Sequence, residues 1–411
     1  MPARSTDRDW WPRFGRTVWI LQLGTVVNLF GLGVILPFEI IYLHDVRGFS
    51  TTTAGLVLAT VMAVAAVTAP PFGALLDRIG GKLVLGGGAL FSTVGYGLMG
   101  FVHHPAEAFA CSVVSGIGAG SGTTAGPALL AALTTAETRA SAFALGRVTV
   151  NLGIALGATT GGLIASTADP SSFRLLYLID GATFLAYALI VLVLIPPTRA
   201  SRRTAGADGA AGFRAVARDR PFLALMAANV AFIVVGYTLF ANILPAYAKG
   251  KAHVDEREIG FIFLVNTTFI ILAALPISHA VQRRRRTTAL AVMSGTWAAA
   301  CLIVLASSAA GSPSAATAVL ALAGILCGIG ECIHASVIGP TVAQLAPPAL
   351  VGRYMSLMGL SFTAAFALGP AIGGALLGWS PDGLWVAAAC LVALTGAGVL
   401  RFGRLPAAVA G

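Results

Sequence analysis

The segment Gly73-Ala-Leu-Leu-Asp-Arg-Ile-Gly-Gly-Lys-Leu-Val-Leu85 joins two long apolar runs and guides the interpretation of the whole chain. Its charged residues are Asp77, Arg78 and Lys82, in a chain of which only 10% is charged. Its glycines lack a Cβ and therefore permit a sharp turn or a close approach of two backbones. This arrangement indicates a short polar connection between two membrane-spanning helices.

The composition excludes a soluble protein. The 411 residues are 57% hydrophobic and the mean hydropathy is +0.86, far above soluble averages. Apolar runs of about 20 residues can cross a hydrocarbon layer of about 30 Å as helices, whereas barrel strands would alternate. We predict an all-α membrane protein with twelve spans, at about 17–43, 54–76, 83–102, 106–134, 141–167, 173–195, 222–248, 257–278, 287–308, 314–346, 351–378 and 382–402.

The distribution of basic residues predicts the topology. With twelve spans both termini lie on one side, and that side receives twenty of the 26 Lys and Arg residues. Basic residues are retained in the cytoplasm, so we expect both termini to be cytoplasmic and the protein to lie in the cell membrane. The charges are scattered over short loops rather than gathered on one face, which argues against nucleic-acid binding.

The chain divides into two similar halves. We predict an N-terminal six-helix bundle at 1–195, a cytoplasmic linker at 196–221 and a C-terminal six-helix bundle at 222–411. Matching motifs recur at offsets of 205 to 212 residues, which indicates an internal repeat. The matching motifs are Leu36-Pro37 with Leu244-Pro245, Gly116-Ile-Gly118 with Gly328-Ile-Gly330, Gly55 with Gly260, and Gly157, Gly161 and Gly162 with Gly369, Gly373 and Gly374.

The loop after the second span resembles the signature loop of the major facilitator superfamily, and departs from it at Gly81, where the family usually has a basic residue. The resemblance implies two pseudo-twofold-related bundles, alternating access, and a cavity lined by spans 1, 4, 7 and 10. It also implies a latch in which Asp77 faces the start of span 11 near Arg353. The predicted gating residues are Gly73, Asp77, Arg78, Gly80, Lys82, Arg147 and Arg353.

The glycine-rich run of span 5 resembles the signature of exporters in this superfamily, with Ala158 in place of the usual proline. A second departure is Ser112, where many relatives carry an arginine in span 4. Small residues at this spacing allow close helix contact in any membrane protein. The predicted helix-packing residues are Gly153, Gly157, Gly161, Gly162, Gly369, Pro370, Gly373 and Gly374.

Charged residues inside spans are candidates for function because they are costly there without a cavity or a partner. Glu331 lies about 25 Å along span 10, and His334 is one helical turn further on the same face. We predict that Glu331, His334 and Glu39 are proton-coupling groups. The alternative for Glu331 and His334 is a static hydrogen-bonded pair.

Other polar residues inside the spans permit weaker assignments. Arg147 could pair with Glu331 or an anionic substrate, or extend to the cytoplasmic interface. For Asp180, in the sixth span, a structural role is favoured because that helix is peripheral in the family fold. The candidate cavity residues are Asn28, Asn151, Asn229, Asn242 and Asn266.

These observations predict a secondary transporter, a proton-coupled exporter of small amphipathic molecules or drugs that acts as a monomer. We expect no cofactor and no metal site, since the five cysteines fall within spans and no nucleotide-binding loop is present. The alternative within transport is uptake or facilitated diffusion of a small metabolite. A transport-inactive receptor or a membrane enzyme on the same scaffold is the alternative of another class.

Overall fold

The computed structural model describes residues 14–197, 216–282, 284–347 and 350–401. The described residues contain twelve long helices, one for each predicted span, and the prediction of an all-α fold is confirmed. The predicted linker at 196–221 lies mostly outside the described residues. The helices are α1 (Arg16–Val46), α2 (Thr51–Ile79), α3 (Gly81–Met99), α4 (Pro105–Ala132), α5 (Ala136–Ile164), α6 (Pro170–Leu194), α7 (Arg220–Ala252), α8 (Glu256–Gln282), α9 (Arg286–Ser307), α10 (Pro313–Leu345), α11 (Val351–Trp379) and α12 (Pro381–Arg401).

Nine of the twelve described helices are long and apolar enough to cross a membrane. The other three are α3, α4 and α5, and in α5 the described apolar run is Val148–Ile164. The lower hydropathy of α3 and α4 has a structural cause. Small polar residues fill the contact between α3 and α4: a Cβ on Gly95 would lie 2.6 Å from the backbone nitrogen of Ser115. Glycine and serine lower the mean hydropathy while they let the two helices approach closely.

The two halves repeat the same packing scheme. In α1 to α6 the first helix packs on the fifth and sixth, the second on the fourth, and the third on the fourth and sixth; α7 to α12 repeat these pairs. The matched glycines confirm the register of the repeat. Gly116 of α4 faces α2 and Gly328 of α10 faces α8, while Gly118 faces α3 and Gly330 faces α9.

Both α1 and α7 are irregular near their prolines. In α1 a tight turn at Leu36–Phe38 contains Pro37, and the helix widens at Tyr42–Val46. In α7 the widened stretch is Val234–Ile243, directly before Leu244 and Pro245. Proline has no backbone N–H and disturbs the helical hydrogen bonds around it, so both helices are irregular in the region of their matched prolines.

The halves meet at one end of the molecule. We call the end where α1 begins and α12 ends the terminal face, and the opposite end the far face. Toward the far face, α2 crosses α11 and α5 crosses α8. A Cβ on Gly374 would lie 3.0 Å from the Cα of Gly55, and a Cβ on Gly162 would lie 2.8 Å from the Cα of Gly260. These contacts are backbone on backbone, so only glycine fits.

The close backbone contacts between the halves described above lie toward the far face. Nearer the terminal face, Gly122 and Gly126 of α4 and Gly359 of α11 have space beside them, since a Cβ on any of the three would meet nothing within 4 Å.

Candidate functional site

A buried histidine links two helices of the C-terminal half. His334 of α10 is 2% exposed. Its Nε2 lies 2.8 Å from Oδ1 of Asn229, and its Nδ1 lies 3.2 Å from the hydroxyl of Tyr237. Because the amide oxygen can only accept, Nε2 carries a hydrogen and donates. In the neutral ring Nδ1 then accepts from Tyr237, so both nitrogens are bonded to α7.

The hydrogen bonds continue to α11. Nδ2 of Asn229 donates to Oγ of Ser361 at 2.8 Å, and that hydroxyl donates to the backbone oxygen of Met358 at 2.6 Å. Asn229 is fully buried and Ser361 is 5% exposed. Each donor has an acceptor, which buried polar groups require. We name Asn229, Tyr237, His334 and Ser361 the histidine cluster.

Aromatic rings surround the histidine cluster. The ring centroids of Trp297 and Phe362 lie 5.9 Å and 5.8 Å from that of His334. The Trp297 indole donates to the backbone oxygen of Cys327 at 3.1 Å, and its ring rests directly on Gly236 and Gly330. Both glycines are needed there, because a Cβ would occupy the space of the ring. The cluster thus combines hydrogen-bonding groups with apolar aromatic faces.

Glu331 lies one turn before His334 on α10 and is half-buried. The Sγ of Cys327 lies 4.0 Å from its Oε1. The matching position in the N-terminal half is Ala119, and the position matching His334 is Gly122. Glu331 and His334 therefore have no titratable counterparts at the matched positions of the N-terminal half.

The predicted polar residues lie in different places. Asn229 joins the histidine cluster, whereas Asn266 donates to the backbone oxygen of Gly324 at 2.9 Å and braces α8 against α10. Asn242 is buried in α7, and Asn151 is half-buried in α5. Asn28 lies in the N-terminal half, where its Oδ1 is buried without a hydrogen-bond partner among the described residues.

Glu39 is half-buried in α1, after the turn at Pro37. It interacts electrostatically with Asp180 of α6, in the N-terminal half. The three predicted proton-coupling residues thus belong to two separate regions. Glu331 and His334 are on α10, whereas Glu39 is on α1 beside a carboxyl that the sequence suggested was structural.

The predicted gating loop contains one residue with an unusual backbone. Gly80 joins α2 to α3 with φ of +86°, which disfavours any other residue. Arg78 is exposed, Lys82 is half-buried, and Gly73 approaches Thr124 of α4. The side chains of Asp77, Arg147 and Arg353 lie outside the described residues, so the latch stays a prediction.

The predicted packing glycines contact the helices expected for a close crossing. Gly153, Gly157 and Gly161 lie along α1, and a Cβ on Gly153 would be 2.8 Å from the backbone oxygen of Val26. Gly369 and Gly373 lie on α7 in the same way. Pro370 contributes its backbone oxygen to the contact with Gly55 of α2.

An ion cluster at the far face, which the sequence analysis missed, joins the two halves. Lys249 at the end of α7 forms an ion pair and hydrogen bond with Glu256 and lies 4.0 Å from Asp45 of α1. It also donates to the hydroxyl of Thr167, whose backbone N–H donates to Glu256 at 3.2 Å. We name Asp45, Thr167, Lys249 and Glu256 the far-face ion cluster. Loop charges of opposite sign were the available signal, but loop sequence does not reveal which loops meet.

Comparisons with known proteins agree on one family. The model described as Major Facilitator Superfamily matches residues 21–250 and 226–410. The chain is 23% identical over 366 residues to "Uncharacterized MFS-type transporter YqjV" of Bacillus subtilis strain 168, covering 87% of this chain and 85% of that protein. It is also 23% identical over 270 residues to "Multidrug resistance protein MdtH" of Aeromonas salmonicida strain A449, covering 65% of this chain and 64% of the relative.

The fold is also similar to that of a solved structure. The nucleoside transporter NupG superposes with a TM-score of 0.78 at 13% sequence identity, over 95% of this chain and 100% of that one. At this identity the similarity concerns the fold alone.

Proposed function

We propose that this chain, which belongs to the Major Facilitator Superfamily and is a membrane transporter rather than an enzyme, exports small amphipathic molecules. The export takes place in exchange for protons. The observation that carries the proposal is the histidine cluster with Glu331 beside it. Ionisable groups inside a membrane bundle are costly and serve ion or substrate pathways. The similarity to a multidrug resistance protein supports export.

The conformation supports alternating access. If the basic loops lie in the cytoplasm, the terminal face is cytoplasmic and the structure is inward-facing. The far-face ion cluster and the glycine crossings then close the external side. Opening to the outside requires these contacts to separate while the terminal ends of α4, α5, α10 and α11 approach one another.

The histidine cluster offers a way to couple a proton to this motion. When Nδ1 of His334 gains a proton it becomes a donor, and the Tyr237 hydroxyl must turn from donating to accepting. The contact between α7 and α10 therefore changes with the charge of the ring. Glu331, on the same face, can receive or release the proton at the cleft. Tyr237 and Phe362, which are half-buried, provide aromatic faces for an apolar cation or neutral drug.

The test is transport in liposomes with an imposed pH gradient and no nucleotide. The panel contains a lipophilic cation, a neutral drug, a nucleoside and a sugar. We expect the lipophilic cation to move against the proton flux, and Glu331→Gln to abolish this exchange. Asp382→Asn, an acidic residue at the far-face end of α12, is the matched control and keeps wild-type exchange. Transport of the cation that ignores the pH gradient would overturn the proposal.

Uptake of a small metabolite is the second candidate. Glu331 and Asn151 are half-buried polar residues that suit a hydroxyl-rich ligand, and a nucleoside transporter shares the fold. This function predicts nucleoside or sugar movement down its gradient, with the lipophilic cation excluded. The same panel therefore separates the two candidates.

A further inference from the structure

We propose that Asp180 of α6 is a second proton-binding site, in the N-terminal half, and that loss of its proton loosens the packing of α1 on α6. This inference rests on the proposed proton coupling, and it assigns part of that coupling to a half that lacks Glu331 and His334. Asp180 belongs to a helix outside the predicted cavity.

The burial of Asp180 is complete. The residue is 0% exposed, and neither carboxyl oxygen has a hydrogen-bond partner in the described part of the chain. A buried ionised carboxylate is strongly disfavoured without a cation or several donors. The geometry therefore requires the neutral acid in this conformation, since protonation removes the charge.

The site is shaped around the carboxyl group by a glycine. A Cβ on Gly31 of α1 would lie 2.8 Å from Oδ1 of Asp180 and would overlap the hydroxyl of Thr183. Glycine at this position lets α1 approach the acid directly. The Thr183 hydroxyl donates to the backbone oxygen of Asp180 at 2.8 Å, so its hydrogen serves the backbone.

A second acceptor lies in the same interface. Gly24, Asn28 and Gly31 follow one another at helical spacing along α1, and Gly24 and Gly31 both contact α6. The Oδ1 of Asn28 is buried without a described partner. The interface thus holds carboxyl and amide oxygens with too few donors. A proton on Asp180 supplies a donor where acceptors are in excess.

Among the described side chains, the charged and titratable groups around Asp180 do not supply a cation. Glu39 on α1 adds a like charge, so the two carboxyls oppose each other's ionisation. Tyr96 on α3 and Tyr177 on α6 are the other titratable groups that interact with Asp180.

Two nearby arginines, Arg47 and Arg174, have contacts elsewhere. Arg47 donates to the Tyr42 hydroxyl and to the backbone oxygen of Gly100, both at 2.7 Å. Arg174 lies 5.8 Å from the ring centroid of Phe101. The backbone of Arg147 is level with Gln22, since Gly146 faces that residue. Gln22 is nine residues from Gly31, or about 13 Å along α1.

Release of the proton would place a charge in the contact between α1 and α6. The charge can be stabilised only if water enters, which requires the helices to separate. Helix α1 also carries Asp45 of the far-face ion cluster. A displacement of α1 would therefore disturb the contacts that join the two halves at the far face. Deprotonation of Asp180 would thereby favour opening at the far face.

The first test follows the carboxyl group itself, without any substrate. Infrared difference spectra of the purified protein are recorded across a pH titration, and the carbonyl stretch of protonated acids is monitored. We expect a band at neutral pH that disappears at alkaline pH and is missing in Asp180→Asn. Asp169→Asn, on the exposed end of the same helix, keeps the band.

The second test measures coupling in liposomes. Asp180→Asn should retain substrate exchange across equal pH but lose at least about tenfold in pH-driven accumulation, while Asp180→Glu should retain accumulation with a shifted pH profile. Both variants are first compared with the wild type for monodispersity and thermal stability, and Asp180→Glu keeps the test valid if the amide variant fails to fold.

An unchanged infrared band in Asp180→Asn, or wild-type accumulation by that variant, would overturn the inference. A band that responds to sodium rather than to pH would also overturn it and identify a sodium site. Failure of the wild type to transport any compound of the panel would instead refute the proposed function, because the infrared titration reports on Asp180 independently.

Discussion

The two halves share a backbone plan but differ in how they treat buried polar groups. In the C-terminal half, both nitrogens of His334 are hydrogen-bonded and Trp297 fills the space against Gly330. The matched positions in the N-terminal half are Gly122 and Ser92. There the buried acid is Asp180, on the sixth helix, and its oxygens lack described partners.

This difference indicates a division of labour. A satisfied polar network holds its helices in one arrangement, whereas acceptors without donors favour a change of protonation or of packing. The C-terminal half holds its buried histidine in a hydrogen-bonded network, whereas the N-terminal half holds a buried carboxyl group without a described partner. Four predictions test this difference between the halves, beginning with the substitution expected to affect the protein most.

Trp297→Ala should have the largest effect on stability. The indole is 1% exposed and rests on two glycines, so its removal leaves a cavity that costs about 3–5 kcal/mol. Ser92→Ala, at the matched position, should change stability little. Thermal unfolding of both variants in the same detergent measures the difference. Equal melting temperatures would show that the aromatic filling does not distinguish the halves.

His334→Ala should destabilise the C-terminal half and abolish pH-driven transport. It removes the hydrogen bonds that His334 forms with Asn229 and Tyr237, and each hydrogen bond lost from a buried polar group costs about 1–3 kcal/mol. Gly122→Ala, the matched change, places a methyl group in open space and should leave stability and transport intact. Transport and melting curves are compared side by side. A variant of His334 that keeps its pH response would remove the histidine cluster from the mechanism.

Lys249→Gln should weaken the closure between the halves at the far face. The change removes charged contacts to Asp45 and Glu256, an effect of about 1–3 kcal/mol. Hydrogen exchange at the start of α2 and the end of α11 should become faster. Lys251→Gln is the control, because Lys251 lies 3.4 Å from Asp382 within the C-terminal half. Equal exchange in the two variants would mean that the ion cluster does not hold the halves together.

The smallest effect concerns Asp169, which caps α6 eleven residues before Asp180. Hydrogen bonds from the hydroxyl and backbone N–H of Ser171 lower the pKa of the Asp169 carboxyl. A lowered pKa stabilises the folded state above the unfolded value of about 3.9, and this stabilisation is lost as the pH falls through the folded value. Melting temperatures measured from neutral to acidic pH should reveal a small loss that Ser171→Ala reduces. An identical pH profile would contradict the assigned cap.

Much of the fold was predictable from the sequence because apolar length and glycine spacing act locally. Runs of about 20 apolar residues define the helices, and the offset between Gly116-Ile-Gly118 and Gly328-Ile-Gly330 gave the repeat that the structure contains. The conformation of the protein was not predictable, since it depends on contacts between distant loops.

The candidate site was predictable only in part. His334 stood out as a titratable residue inside an apolar span, and Asn229 as a polar one. Tyr237, Trp297 and Ser361 did not, because tyrosine, tryptophan and serine are common in membrane helices and only the packing of α7, α9 and α11 joins them. Asp180 was assigned a structural role on the position of its helix. In the folded structure Asp180 is buried, and its carboxyl group has no hydrogen-bond donor among the described residues. These two features are the basis for the proton-binding role proposed above.

The open space at Gly122 and the hydrogen bonds of His334 at the matched position have a consequence for how a substrate would be carried. A substrate held by side chains of the C-terminal half, and bordered only by backbone of the N-terminal half, would move together with the C-terminal half. Release of the substrate would then require only that the N-terminal half move away, without an equal rearrangement of the C-terminal half.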